Sequence, residues 1–398
     1  MAETCDILVS GGGVAGLTAA AAFGSAGFQV ICVDPALPVS DRDAEGADLR
    51  TTAILQPGRA LMETAGLWAH LAPFAMPLQV MRIVDAGGPE GDARVIRDFD
   101  AADISDQPFG WNLPNWLLRR EMVARLSELP TVDFRPGTGT RTLLTREAEA
   151  RVGLTDGTQV RARLVVAADG RNSPMRQAAG IDVQTRRYGQ TAMVFAVTHA
   201  IPHQNVSTEV HRSGGPFTLV PLPDQDSEPS SAVVWMEDGR RARELMALEA
   251  AAFEAAMTDR SAGILGPLRL ASKRQAWPII ALRAGHLTAQ RLALMAEAAH
   301  VIPPIGAQGL NMSLGDLQCL LDLATAAPET LGNQTMLDTY ARRRHMDISL
   351  RITGVDLLNR ASMLPFQPLK DLRARGVEAL HDITPIRRAL MELGLGLR

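Results

Sequence analysis

Gly11, Gly13 and Gly16, with Ala15 between the last two, are followed 18 residues after Gly16 by Asp34. A loop with this G-x-G-x-x-G spacing can hold a pyrophosphate. Gly11 permits a tight turn, Gly13 lets the backbone approach phosphate oxygens, and Gly16 lets the next helix pack against the sheet. The helix N-terminus adds free N–H groups and a partial positive charge. Asp34 falls where a carboxylate hydrogen-bonds a ribose diol. That favours FAD or NAD(H) over NADP(H), whose 2′-phosphate would meet like charge.

The elements that must position this loop are legible around it. Residues 6–9 are an apolar run suited to a buried parallel strand. Residues 17–23 are alanine-rich and helix-forming, Gly27 closes them, and 29–33 read as a second strand. The glycine pattern alone would be weak evidence. Strand, loop, helix, strand and acid in this order point to dinucleotide binding.

Further along, 80–85 and 93–99 read as a hairpin, 117–129 as an amphipathic helix, and 132–166 as several short strands. Strands are expected within 190–235, a helix over 240–257, and helical sequence from Leu314 nearly to the end. Strand-rich pieces alternate with βαβ-like pieces, which suggests a nucleotide domain interrupted by a β-rich domain.

With 398 residues and a net charge of −4, the chain is long enough for two intertwined domains and lacks the basic balance usual for nucleic-acid binding. No apolar stretch is long enough to span a membrane, and no signal peptide is expected. A cytoplasmic location follows, with peripheral contact at the inner membrane left open. Cys5, Cys32 and Cys319 form no C-x-x-C pair and read as core thiols.

Two later clusters add weight. One is Ala168-Asp169-Gly170-Arg171-Asn172-Ser173-Pro174-Met175-Arg176. The other runs from Ala296-Glu297 through His300, Pro303-Pro304 and Gly306-Ala307-Gln308-Gly309-Leu310-Asn311, with Asp316 beyond. With the N-terminal loop, they resemble the three marks of the class A flavin aromatic hydroxylases, of the 4-hydroxybenzoate hydroxylase fold. The segments Asp48-Leu49-Arg50-Thr51-Thr52-Ala53, Asn115-Trp116-Leu117-Leu118-Arg119, Tyr188-Gly189-Gln190-Thr191-Ala192 and Gly215-Pro216-Phe217-Thr218-Leu219-Val220-Pro221-Leu222 narrow the resemblance to the ubiquinone-biosynthesis hydroxylases.

The resemblance implies an α/β chain. A Rossmann-like FAD-binding domain (1–75, 111–180 and 281–345) would be interrupted by a β-sheet substrate domain (76–110 and 181–280), with a C-terminal helical segment at 346–398. It implies FAD contacts from Gly11, Gly13, Ala15, Gly16 and Asp34, and from Arg50, Arg119 and Asp169. Glu297 would face the ribityl chain. Gln308, Gly309, Leu310 and Asn311 would begin a helix at the flavin edge, and Pro304 would wall the substrate side. Two positions depart from the family pattern. The usual Gly-Asp is Ala296-Glu297, which adds a methylene before the carboxylate, and the glycine before Gln308 is Ala307, whose methyl restricts the backbone.

The implied reaction is hydroxylation of the aromatic ring of a polyprenylated phenol or benzoquinol in ubiquinone biosynthesis, through a flavin C4a-hydroperoxide. NAD(P)H or another donor would supply electrons, and O₂ the oxygen atom. The protein would belong with a ubiquinone-biosynthesis assembly. Leu357, Leu358, 363–366, Leu369 and Leu380 are candidates for a tunnel or membrane-facing mouth. Three other readings stay open: hydroxylation of a soluble aromatic compound, a flavin reductase or halogenase, and a non-catalytic FAD-bound member of the assembly. His199, His203 and His211 could each accept a phenolic proton, and none is singled out as general base. No metal site is expected.

Overall fold

The computed structural model describes residues 2–88, 91–212, 214–363 and 367–396. Its first large sheet is built around five parallel strands, in the order Leu292–Leu294, Gln159–Ala167, Glu3–Ser10, Val30–Asp34 and Val132–Pro136. The central strand has Ile7, Leu8 and Val9 fully buried, as expected for a strand covered on both faces. The helix Val14–Ser25 follows it, with Ala19, Ala20 and Ala21 fully buried.

Parallel strands put all their C-terminal ends on one edge. Gly11 to Gly13 follow Ser10, Asp34 ends its own strand, Ala168 to Gly170 follow Ala167, and Met295 to Glu297 follow Leu294. Segments 160 and 280 residues apart in sequence therefore meet at one crevice, the place where open α/β sheets bind ligands.

The second large sheet has nine strands. Its order is His300–Val301, Gln275–Ala284, Val183–His199, Glu228–Asp238, Pro216–Gln225, Val206–His211, Val80–Asp85 and Val95–Asp100, with Leu268–Leu270 beside Val183–His199. Strand alternation gives it two faces. Val210, Phe217, Leu219 and Trp235 pack into a core with Phe195 and Phe253. Ser207, Glu209, Thr218, Val220 and Val234 face the other way, toward the crevice. A three-stranded sheet of Thr51–Leu55, Gly110–Pro114 and Met76–Leu78 stands between the two large ones.

One difference from expectation has a plain physical cause. The helix expected over 240–257 is two helices, Gly239–Met246 and Ala250–Arg260. The break lets Leu245, Leu248 and Phe253 all turn to the same core. Of the residues expected at a tunnel or a membrane-facing mouth, Leu357, Leu358 and Leu380 are exposed and do not line the cavity, so they build no tunnel; residues 364–366 and the Leu369 side chain lie outside what is described. The last helix, Thr384–Leu395, supplies the inward contacts instead, with Met391 and Leu395 packed beside Leu55 and Phe109. Cys32 is a core thiol, and Cys5 and Cys319 are half-buried against the core; burial pushes Cys5 up to about 12 and raises Cys32 and Cys319 as well.

Candidate active site

A cavity of about 680 Å³ runs from the C-terminal ends of the parallel strands to the face of the nine-stranded sheet. Its first wall is the glycine loop. Gly11 has φ +108°, and a Cβ there would fall 2.4 Å from Ala168 O. A Cβ on Gly16 would fall 1.9 Å from Gly11 O, so Gly16 does not line the cavity and serves the contact between helix and loop. Gly13 is different: a Cβ there meets no protein atom within 4 Å. Its open side faces the cavity, beside Val14 and Ala15. The helix begins at Val14 with no side-chain cap and no acidic residue in its first turn, leaving its N–H groups for a ligand.

Asp34 shapes this loop as well as lining the cavity. Its Oδ2 accepts Gly12 N at 2.6 Å, and its Oδ1 accepts Ala36 N at 2.8 Å. A carboxylate has about four acceptor positions, so two remain for sugar hydroxyls.

Arg50 and Arg119 both line the cavity, in different states. Arg50 donates two bonds to Asp48, at 2.8 and 2.7 Å, and stacks 4.8 Å from the Trp277 ring centre. Asp48 also accepts Asn115 Nδ2 at 3.0 Å. Burial opposes charge on Asp48, but the Arg50 fork holds its carboxyl below the usual carboxylate range. Arg119 is half-buried, and its buried Nε has no partner.

Asp169 sits in the turn after its strand. Its Oδ2 accepts Ser10 Oγ and Met175 N, each at 3.1 Å, while its buried Oδ1 has no partner. Burial pushes its carboxyl above the usual range against these bonds. Glu297 lies across the cavity with Arg171 Nε 3.3 Å away.

The third motif forms the remaining wall. Pro304, Gln308, Gly309 and Leu310 line the cavity, and the helix runs Gln308–Ala326. A Cβ on Gly309 meets nothing within 4 Å. Asn311 does not line the cavity. Its side chain donates to Ala53 O and Ala307 O and accepts Leu55 N, which ties this helix to the middle sheet. Ala296 and Ala307 both adopt left-handed backbone, each with φ +55°. The two alanines that replace family glycines therefore occupy conformations that glycine adopts without cost.

Behind the motif, His300 Nε2 lies 2.6 Å from Asp316 Oδ2, and Arg344 Nε donates to Asp316 Oδ1 at 2.8 Å. Arg351 bonds the Gln308 amide oxygen, and the Gln308 amide nitrogen donates to Gly394 O at 3.1 Å. His300 and Asp316 belong to the sequence motif. Arg344 and Arg351 lie on Gln334–Ser362 and had no local signal.

The other histidines separate clearly. His199 bonds Ile201 O and Ser231 Oγ, and His203 bonds Leu222 O and Asn205 N. Both are structural, and neither lines the cavity. His211 Nε2 lies 2.8 Å from Oε1 of Glu209, which does line it.

These features suit an elongated anionic ligand carrying sugar hydroxyls. Backbone is open at Gly13 and Gly309, a guanidinium nitrogen and a carboxylate oxygen lack partners, and a helix N-terminus points at the crevice. Comparison with known proteins agrees. A family model described as FAD binding domain matches residues 4–350. The chain is 32% identical to the ubiquinone hydroxylase UbiL of Rhodospirillum rubrum, covering 99% of this chain and 90% of that one. It is 28% identical to the 3-demethoxyubiquinol 3-hydroxylase of Escherichia coli, over 99% of each. Its fold matches the crystal structure of p-nitrophenol 4-monooxygenase PnpA from Pseudomonas putida with a TM-score of 0.80, at 19% identity over 100% of both chains.

Proposed function

The chain belongs to the FAD binding domain family, and from that premise we propose that it hydroxylates the ring of a polyprenylated phenol or benzoquinol. It is an FAD-dependent aromatic-ring monooxygenase of ubiquinone biosynthesis, with the 4-hydroxybenzoate hydroxylase fold. The observation that carries the substrate reading is the cavity itself. Residues of all three motifs line it, and Leu55, Leu78, Met81, Phe109, Val220 and Val234 give it an apolar wall.

FAD supplies the redox chemistry, taking electrons from NAD(P)H and activating O₂, as is typical of the class. The chain binds and orients it. In this reading Gly11, Gly13 and Ala15 hold the pyrophosphate, Gly16 lets the helix pack close enough to present them, and Asp34 holds the ribose. Arg50 and Arg119 meet the diphosphate or nearby polar groups, and Asp169 and Glu297 the hydroxyls of the ribityl side. Gln308, Gly309, Leu310 and Asn311 place a helix N-terminus at the flavin edge, where its partial positive charge stabilises negative charge on the ring. Pro304 and the apolar wall keep water from the reacting centre. The parallel sheet is assigned to the cofactor and the nine-stranded sheet to the substrate.

Among the described residues no helix is long and apolar enough to cross a membrane. A prenylated substrate would then be met at a membrane surface or within a quinone-synthesis assembly, and both belong to the proposal. The test is the quinone profile of a strain lacking this gene. The expected result is loss of ubiquinone with accumulation of a prenylated precursor one hydroxyl short, reversed by the wild-type gene. Normal ubiquinone, in a strain without another hydroxylase of this family, would overturn the substrate assignment.

A further inference from the structure

We propose that Glu209 receives a hydroxyl of the substrate ring, and that this contact makes the site accept a phenol or quinol and reject the matching quinone. The proposal rests on the aromatic-substrate reading above and adds which redox form of the ring is bound.

The sheet register places the residue. Glu209 lies opposite Thr218, and Thr218 opposite Val234, so the three form one row across the cavity floor. Ser207 and Val220 extend that floor, while Val210 and Phe217 turn into the core behind it. Among the described residues, Glu209 is the only carboxylate that the nine-stranded sheet contributes to the cavity. The other carboxylates there stand in the loops read as holding the cofactor: Asp34 bonds its own loop, Asp48 the Arg50 fork, Asp169 Ser10 and Met175, and Glu297 Arg171. Glu209 is held from one side only, by His211 two residues along the same strand face, at 2.8 Å from Oε1. That contact orients the carboxylate and leaves Oε2 as an acceptor for a ligand.

The chemistry then selects. A carboxylate accepts hydrogen bonds and cannot donate them. A phenolic or quinol hydroxyl can donate to it, giving a charge-assisted bond. A quinone carbonyl in the same place offers only lone pairs, so it and the carboxylate oxygen would face each other with no proton between them. Ser207 and Thr218 can donate or accept and so do not discriminate.

The test is anaerobic equilibrium binding of a short-chain prenylated hydroquinone and of its benzoquinone to FAD-loaded protein, read from the flavin absorbance. Sites built to hydrogen-bond a hydroxyl discriminate strongly against analogues lacking it, so the wild type should prefer the hydroquinone by about 100-fold or more. Glu209→Gln has the same shape but can donate as well as accept, and should bring the ratio below about tenfold. Glu209→Leu should lose hydroquinone affinity without losing affinity for the quinone. Flavin content equal to wild type shows that the variants are folded. An unchanged ratio in Glu209→Gln, or a wild type that binds both rings equally, overturns this proposal alone. A wild type that binds neither overturns the aromatic-substrate reading and this proposal with it.

Discussion

His300 Nε2 and Asp316 Oδ2 lie 2.6 Å apart, and both residues are buried. Burial favours the neutral acid at Asp316, but His300 and Arg344 outweigh it and hold the carboxyl below its ordinary value of 3.8. Its pKa is thus lower in the folded chain than in the unfolded one. The stabilisation is fully present above the unfolded value and is lost as pH falls through the folded value. Asp316→Asn should therefore cost roughly 3–5 kcal/mol near neutral pH, since it strands two buried cationic or polar partners. It should also flatten the acid limb of the stability curve. Urea unfolding of both proteins from about pH 5 down to about pH 2 checks this. A variant that loses stability in parallel with wild type on acidification would contradict it.

The left-handed backbone at Ala296 and Ala307 makes an opposite prediction, a gain. A non-glycine residue in this region costs roughly 1–2 kcal/mol. Glycine relieves that cost and gives back about 0.4–1 kcal/mol through the freer unfolded chain. Ala307→Gly and Ala296→Gly should each raise the Tm of the apoprotein by roughly 1–3 °C. A fall in Tm would show that the methyl groups pack usefully, as Ala296, which is 6% exposed, could do.

The glycines divide into two classes that mutation should separate. Added Cβ atoms at Gly13 and Gly309 meet no protein, while one at Gly16 falls 1.9 Å from Gly11 O. Gly309→Val should fold with near-normal circular dichroism and bind FAD poorly, because the obstruction is to the ligand. Gly16→Ala should lower the stability of the apoprotein itself. If Gly309→Val bound FAD normally, the helix N-terminus would not be approaching the flavin.

Asp34→Ala should weaken FAD binding by about ten- to hundredfold, the loss of charge-assisted bonds worth roughly 1.5–3 kcal/mol. Part of the effect acts through Gly12, whose N–H loses its acceptor. Asp34→Asn keeps an acceptor for that N–H and should fall between the two. Fluorescence titration of apoprotein with FAD gives all three constants.

Much of the cofactor end was legible because its signals are local. Gly11, Gly13 and Gly16 sit within one turn of chain, and their spacing follows from the turn they make. Asp169 and Asn311 were found through motif resemblance, since nothing near them in sequence shows that their strand and helix end at the same crevice. Leu357, Leu358 and Leu380 face outward rather than into a tunnel, and sequence could not separate the two because apolar residues on a helix can face solvent as well as a core. Arg344 was invisible: its partner Asp316 is 28 residues away on another helix. Glu209 was equally hidden, because only the register with Thr218 places it on the cavity floor.

The most direct measurement is oxygen-18 incorporation. Purified protein loaded with FAD would be given NAD(P)H, a short-chain prenylated phenol and ¹⁸O₂, and the product analysed by mass spectrometry. The account predicts a hydroxylated ring carrying one oxygen-18 atom, formed only when phenol and donor are both present. NAD(P)H consumption that yields hydrogen peroxide alone, with the phenol recovered unchanged under the same conditions, would contradict it.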